Sequence, residues 1–367
     1  MLLSFVYFCC TCMLDSEKYM FRCCELAQAG AGSVAPNPLV GAVLVYENRI
    51  IGEGFHTQYG APHAEVECLQ NVPDHLQQYI PLATLYVNLE PCCHFGKTPP
   101  CTDLIIQSGI RKVVVANTDP FPKVSGGGIR ILQAAGIEVI TGILANEGRW
   151  LNRRFFTFHE QLRPYIILKW AQTHNGIIGS LKGNRMLISN EITQRRVHAW
   201  RAEEAAILVG YRTAMADNPA LTTRLVPGKN PVRLVVDPQR ALSSELQIFQ
   251  GAAPTVLLNE QSALPIGEAI AFTYSGTDWI KGVIDYCREA NLQSVLVEGG
   301  AATLQAFIHS GCWDEIRRIT NSALHPSAGI PAPSLPPLQA FRKESMLDDQ
   351  IEWFLNPTQK SNSYETQ

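Results

Sequence analysis

Residues 84–105 read TLYVNLEPCCHFGKTPPCTDLI, and this stretch decides the architecture of the first half of the chain. Residues 84–89 form a short, largely apolar run, the pattern of a buried strand. The backbone then stiffens at Pro91, Pro99 and Pro100. A helix is predicted over 102–108, stopped by Gly109, and a further strand over 112–116. Strand, loop, helix and strand at this spacing predict an α/β layer with a mostly parallel sheet. Working outward, residues 15–30 place Tyr19, Met20, Cys23 and Leu26 on one helical face. Residues 40–46 and 49–52 read as a hairpin across Glu47–Asn48. Residues 63–70 read as a helix entered through Pro62. A helix at 127–135 and a strand at 138–141 continue the alternation.

The alternation restarts near Pro164. Strands are predicted at 165–170, 206–209, 232–236, 255–258 and 294–297, with helices at 190–202, 278–290 and 302–310. The expected organisation is a first α/β domain over 13–157, a boundary within 155–164 (FTFHEQLRP), and a second α/β domain over 163–355. The Pro-rich stretch 326–337 reads as loop or edge structure, and 356–367 as a polar tail. Residues 1–12 are set apart as a leader. Their apolar character raises a signal peptide, but no basic segment precedes it and no small-residue cleavage site follows, so the expectation is either a start at Met13 or a disordered extension.

Composition narrows the function classes. The chain has 367 residues, 46% apolar and 17% charged, which excludes a disordered chain and suits two cores. Thirty basic and 33 acidic residues leave a net charge of -3, giving no global reason to bind nucleic acid or an anionic membrane. No apolar run is long enough to span a bilayer. Eleven cysteines, an odd number with no secretory signal, point to metal binding or buried thiols in a reducing, cytoplasmic setting.

The chemistry concentrates in His63-Ala64-Glu65, Pro91-Cys92 and Cys101. A catalytic zinc takes three protein ligands and leaves one position open for water, and imidazole with two thiolates suits zinc better than calcium or magnesium. Zinc bound there lowers the pKa of its water, and the hydroxide can attack an electron-poor ring carbon bearing an amino group. Glu65, two residues from His63, can lie beside the metal without ligating it, where a proton carrier is needed. Cys93 or His94 would supply a fourth ligand if the zinc were purely structural. In the second half, SVLVEGGAATL (294–304) is an apolar strand, a glycine turn and a helix. Such a turn lets a phosphate approach backbone N–H groups, but it is neither G-x-G-x-x-G nor a Walker loop. Ser125-Gly126-Gly127-Gly128 reads as a flexible loop into a helix.

PNPLVGAVLV (36–45), GEGFHTQYGAPHAEVECL (52–69) and NLEPCCHFGKTPPCTDLI (88–105) resemble the deaminase half of the bifunctional deaminase-reductase family of riboflavin biosynthesis. Eight residues separate Cys92 from Cys101, unlike the Cys-x-x-Cys of nucleic-acid base deaminases. KWAQTHNGIIG (169–179), RAEEAAILVGYRTAMADNPALTTR (201–224), RLVVD (233–237) and VEGGAATL (297–304) resemble the reductase half. The resemblance implies a cytidine-deaminase-like α/β/α domain followed by a dihydrofolate-reductase-like α/β domain. It implies zinc on His63, Cys92 and Cys101, with Glu65 as general acid and base. Asn37, His56, Lys97 and Asp119 would contact the first substrate. Ala171, Thr213, Asp217 and the turn Gly300, Ala301, Ala302 and Thr303 would contact NADPH. Arg201, Leu221, Arg224 and Glu298 would contact the second substrate, both arginines being suited to bidentate phosphate binding.

The chain departs from the family pattern at Cys93, where Ser is more usual. It departs again at Thr173-His174-Asn175-Gly176 in place of Ser-Leu-Asp-Gly, and at Arg185 and Leu187 in place of a small polar residue and Trp. The implied function is hydrolytic deamination of 2,5-diamino-6-(5-phosphoribosylamino)pyrimidin-4(3H)-one. NADPH-dependent reduction of the ribosyl group of 5-amino-6-(5-phosphoribosylamino)uracil to ribityl then follows. The enzyme is expected in the cytoplasm as a homo-oligomer assembled through the reductase domain. The alternatives are a deaminase with a scaffold-only second half, a nucleic-acid base deaminase, and a non-enzymatic zinc-stabilised binding protein.

Overall fold

The computed structural model describes residues 14–95, 99–181, 186–251, 253–262, 264–276 and 278–358. The leader 1–12, Lys97 and Arg185 lie outside the described residues. The chain divides into two units, Met1–Glu160 and Gln161–Gln367.

The first unit runs α1 (Asp15–Gln28), β1 (Gly41–Tyr46), β2 (Arg49–Phe55), α2 (Ala64–Gln70), β3 (Thr84–Leu89), α3 (Cys101–Gln107), β4 (Lys112–Asn117), α4 (Gly127–Ala134), β5 (Glu138–Thr141), α5 (Ala145–Leu151) and α6 (Arg153–Gln161). Its sheet has the order β2-β1-β3-β4-β5. Successive side chains of the central strands point to opposite faces. Leu44, Leu85, Val87, Val113 and Val115 pack against Cys68, Ile105 and Leu132 of α2, α3 and α4. Val43, Val45, Tyr86 and Val114 pack on the other face against Met20 and Cys23 of α1. The unit is therefore an α/β/α sandwich, and burying each such Leu, Ile or Val contributes roughly 1.5–3 kcal/mol.

The sheet is mixed rather than mostly parallel. β1 pairs antiparallel with both β2 and β3, and only β3–β4 and β4–β5 are parallel. Glu47 and Asn48, with φ of 47° and 60°, make the tight left-handed turn that matches strand twist in a two-residue hairpin. The two units divide between Glu160 and Gln161, within the stretch 155–164. Those residues are helical in α6 as far as Gln161, and Phe155 and Phe156 are buried with Leu89 in the first core.

The second unit runs β6 (Tyr165–Thr173), β7 (Ile177–Gly179), α7 (Glu191–Glu203), β8 (Ala206–Gly210), α8 (Tyr211–Asp217), β9 (Val232–Val236), β10 (Thr255–Asn259), β11 (Ile270–Thr273), α9 (Trp279–Glu289), β12 (Ser294–Val297), α10 (Ala301–Ser310), β13 (Glu315–Asn321), β14 (Ile330–Pro331), β15 (Arg342–Met346) and β16 (Asp349–Leu355). Its large sheet has the order β11-β10-β9-β8-β12-β6-β13-β16-β15. It is parallel from β11 to β13 and antiparallel through β16 and β15. β14 pairs with β7 in the Pro-rich stretch.

Strand β13 escapes a hydrophobic reading because its inward positions are charged. Arg317 Nε donates to Glu315 at 2.6 Å, and Arg317 also pairs with Glu204 at 3.7 Å, all three being buried. Asn356, assigned above to a polar tail, belongs to the fold. It is buried, and its Nδ2 donates to the carbonyls of Gly311 (3.0 Å) and Trp313 (2.7 Å). No helix among the described residues is long and apolar enough to cross a membrane.

Candidate active sites

Strands β3 and β4 are parallel neighbours, so their C-terminal ends open on the same edge, where α/β sheets collect functional groups. Cys92 follows β3 and Asp119 follows β4, while His63 and Cys101 stand at the starts of α2 and α3. One ligand atom each from His63, Cys92 and Cys101 lies within 4.8 Å of the others. His63 Nδ1 is 3.5 Å from Cys92 Sγ and 3.3 Å from Cys101 Sγ. The Cys101 backbone N–H donates to Cys92 Sγ at 3.3 Å. The Cys101 side chain, His63 and that N–H together lower the Cys92 thiol against the cost of its burial and favour its thiolate form. Two sulfurs and an imidazole nitrogen converging in a buried corner are a donor set that fits zinc.

Glu65 is 3% exposed, on the first turn of α2, and is not one of the three converging ligands. Burial, with the Cys92 charge adding to it, raises its carboxyl above the ordinary range. His56 packs edge-on against His63, ring centroids 5.5 Å apart. Its Nδ1 lies 2.9 Å from the Pro62 carbonyl, which can only accept, so Nδ1 carries the proton and Nε2 accepts from Asn37 Nδ2 at 3.0 Å. Burial lowers the His56 pKa, consistent with this neutral tautomer. Asn37 and His56 thus share a corner with the zinc ligands. Asp119 is 8% exposed, and burial above all pushes its carboxyl up to about 7.

Three residues that build this corner carried no functional reading in the sequence. Asn88 accepts from the Gly41 N–H (2.8 Å) and donates to the Leu39 carbonyl (3.0 Å). Asn152 exchanges two hydrogen bonds with the Leu39 backbone, at 2.7 and 2.8 Å. Together they pin the loop that carries Asn37. Glu90 binds three backbone N–H groups of the 119–129 segment. The signal that could have found Asn88 and Glu90 is a polar side chain in a run otherwise apolar enough to be buried, since a buried polar group must find partners.

In the second unit, β6 outruns β12. Leu168 pairs with Val297, and Lys169 to Thr173 continue past the end of that partner strand. The freed edge receives the turn Glu298–Gly300. Gly210 N–H donates to the Gly299 carbonyl at 3.2 Å, bringing the β8–α8 and β12–α10 turns together. A Cβ at Gly300 would stand 2.8 Å from Thr213 Oγ1, and one at Gly210 would stand 2.5 Å from Thr303 Oγ1. Gly300 thus lies against Thr213 and Gly210 against Thr303, with Ala301 and Ala302 opening α10 beside them. Asp217 lies one turn beyond Thr213 on the same face of α8. Ala171 is partly buried on the projecting part of β6.

Arg201 does not present a free fork. Its Nε and Nη2 hold Glu298 at 2.7 and 2.8 Å, and Nη1 reaches the Thr222 carbonyl at 3.3 Å. Its bidentate partner in this structure is the Glu298 carboxylate. Lys169, which the sequence reading did not single out, adds a second cation 3.6 Å from Glu298. Both cations outweigh the cost of burial and hold the Glu298 carboxyl down at about 2. Leu221 is buried with φ of 49°, and the Arg224 N–H donates to His198 Nδ1 at 2.9 Å. Arg224 Nη1 donates to Thr222 Oγ1 at 3.0 Å. Asn175 holds its turn as expected, accepting from Thr173 Oγ1 (2.7 Å) and donating to the Pro326 carbonyl (2.7 Å). Leu187 is 63% exposed.

Fold and site define a zinc-deaminase unit followed by a second α/β enzyme unit. Residues 13–117 match the cytidine and deoxycytidylate deaminase zinc-binding region, and residues 164–329 match the RibD C-terminal domain. The riboflavin biosynthesis protein RibD of Aquifex aeolicus is 41% identical over 82% of this chain and 85% of its own length. That of Escherichia coli is 33% identical over 83% and 86%. The crystal structure of a Thermotoga maritima diaminohydroxyphosphoribosylaminopyrimidine deaminase/5-amino-6-(5-phosphoribosylamino)uracil reductase superposes with a TM-score of 0.83 at 35% identity, covering 93% of this chain and 99% of that one. The chain belongs to the RibD family of riboflavin biosynthesis proteins.

Proposed function

We propose that this chain is a bifunctional enzyme of riboflavin biosynthesis. The first unit deaminates 2,5-diamino-6-(5-phosphoribosylamino)pyrimidin-4(3H)-one, and the second reduces the ribosyl group of 5-amino-6-(5-phosphoribosylamino)uracil to ribityl with NADPH. The observation that carries this is the convergence of His63, Cys92 and Cys101 beside the buried Glu65, in a chain whose RibD relatives match both halves.

His63, Cys92 and Cys101 hold the zinc. When bound, zinc makes a hydroxide-like water available near neutral pH. Glu65 would carry the two protons of that water in turn, one to the ring nitrogen as oxygen bonds to C2 and one to the amine as the C2–N bond breaks, C2 becomes a carbonyl and ammonia leaves. Asn37 and the neutral His56 meet the pyrimidinone edge, and Asp119 and Lys97 the ribosyl phosphate side. In the second unit NADPH supplies hydride to C1′ of the ribose. Ala171, Thr213, Asp217 and Gly300 to Thr303 orient the cofactor, while Leu221, Arg224 and the Arg201–Glu298 pair orient the sugar phosphate. The working domains are 13–157 and 163–355. The enzyme acts in the cytoplasm as a homo-oligomer joined through the second unit, and its near-neutral charge gives nucleic acid no purchase.

One incubation tests both halves. Zinc-loaded protein with NADPH and the diaminopyrimidine ribosyl phosphate is expected to yield a deaminated and reduced product as NADPH absorbance falls. Deaminated product accumulating with NADPH untouched would make the second unit a scaffold, the reading that the exposed Leu187 favours. Chelating the zinc should stop deamination and leave reduction of the aminouracil running. The cofactor assignment has its own check. Gly300→Ala places a methyl 2.8 Å from Thr213 Oγ1, close enough to push the hydroxyl aside. The loss of one hydrogen bond to a charged ligand, roughly 1.5 kcal/mol, should raise KM for NADPH about tenfold. An unchanged KM would remove Thr213 from the cofactor site.

A further inference from the structure

We propose that Glu90 is the positioning residue of the deamination site: its carboxylate ties the strand end carrying Cys92 to the loop carrying Asp119 and to the start of α4, and so sets the spacing between metal ligand and substrate-facing carboxylate. The proposal rests on the deaminase reading above. Glu90 is 4% exposed and stands two residues before Cys92. Its Oε2 accepts from the backbone N–H of Asp119 at 3.0 Å and of Gly126 at 2.9 Å, and its Oε1 accepts from that of Ile129 at 3.1 Å. Its own N–H donates to the Asn117 carbonyl at the end of β4, 2.9 Å away. One anion thus satisfies donors from three places in the chain, and hydrogen bonds to an ionised acceptor are the strong ones.

The glycines of 125–128 complete the junction and correct the expectation of a flexible loop. Gly126 takes a φ of 78°. A Cβ at Gly128 would fall 2.1 Å from the Pro91 carbonyl oxygen and 3.3 Å from Glu90 Oε1. The first turn of α4 therefore lies directly on the peptide that leads into Cys92. Glu90 touches neither the metal ligands nor the reacting atoms in this arrangement, and acts through the backbone it gathers. Its charge also reaches Asp119. There burial raises the carboxyl, the Phe121 N–H opposes this, and Glu90 and Cys92 add to the rise.

Two variants test this. Glu90→Gln turns one acceptor oxygen into a donor, so the three N–H groups cannot all be satisfied. Gly128→Ala pushes on the same junction with Glu90 intact. In both, the amides of Asp119, Gly126 and Ile129 should exchange with solvent faster than in the parent. Zinc affinity by chelator competition, or deamination kcat/KM per bound zinc, should fall ten- to hundredfold, as when outer partners of metal sites are lost. In Glu90→Gln alone, the limb of the pH profile set by Asp119 should move to lower pH, a change that a purely structural role would not produce. Reduction by the second unit is the internal control. The proposal is overturned if exchange, zinc affinity and kcat/KM per zinc all stay within twofold of the parent in both variants. Should Glu90→Gln not fold, Gly128→Ala decides. If the parent itself deaminates nothing, the deaminase reading falls, while exchange and zinc affinity still judge Glu90.

Discussion

Glu65→Gln is expected to keep its zinc and lose deamination by about 10²–10⁴-fold, the range that positioned acid–base groups contribute. The amide fills the same space on α2 and removes none of the three ligands His63, Cys92 and Cys101, so metal content measured by atomic absorption should equal that of the parent. What disappears is a group able to accept the water proton and release it to the leaving amine. Reduction of the aminouracil, which uses residues of the second unit, should proceed at the parental rate. A variant that still deaminates within tenfold of the parent would show that some other group moves the proton.

The second large effect concerns Glu298. Its side chain is 7% exposed and is shared by Arg201 and Lys169, each 12% exposed. Glu298→Gln removes the only negative charge of that cluster and leaves two poorly solvated cations side by side. Breaking a buried pair from one side costs about 3–5 kcal/mol. For a unit of this size that lowers Tm by on the order of 10 °C. The pH dependence has a definite sign. The Glu298 carboxyl is depressed from 4.5 to about 2, so its contribution is fully present above pH 4.5 and is lost as pH falls through about 2. The stability gap between parent and variant, read from denaturant unfolding, should therefore be constant between pH 7 and 5 and narrow on further acidification. A gap that widened towards acid would contradict the ion cluster. Reduction should also weaken in the variant, since Arg201 loses the carboxylate that aims its guanidinium.

The core strands and the zinc corner were legible in the sequence because each obeys a local rule. Residues 84–89, 112–116, 206–209 and 294–297 are apolar runs of strand length, and the structure places strands there. His63, Cys92 and Cys101 were legible from donor chemistry alone. What escaped was structure whose logic is not hydrophobic. Strand β13 buries Glu315 and Arg317 against each other, so its alternation looks like surface. Strands β15 and β16 form a hairpin that joins β13 antiparallel, on a sheet whose strands from β11 to β13 are all parallel. The stretch holding the domain boundary gave no sign that Phe155 and Phe156 on α6 are buried with Leu89 in the first core. The supporting residues Asn88, Glu90, Asn152 and Lys169 were missed for one reason. Each acts on groups distant in sequence, and their partners are backbone atoms or a single side chain that no local motif encodes. Arg201 is a similar case, since its residue type says nothing of the Glu298 carboxylate that holds its guanidinium.

The clasp of Asn152 on Leu39 spans 113 positions of the chain, and this bears on how the first site comes into being during synthesis. The ribosome delivers every zinc ligand, Glu65 and Asp119 before it delivers the residue that locks the Asn37 loop. A nascent chain therefore exposes all three candidate zinc ligands before Asn152 emerges to close on Leu39. A fragment ending at residue 117, where the zinc-binding match stops, would keep His63, Cys92 and Cys101 but lack both that clasp and the 119–129 backbone N–H groups that Glu90 gathers.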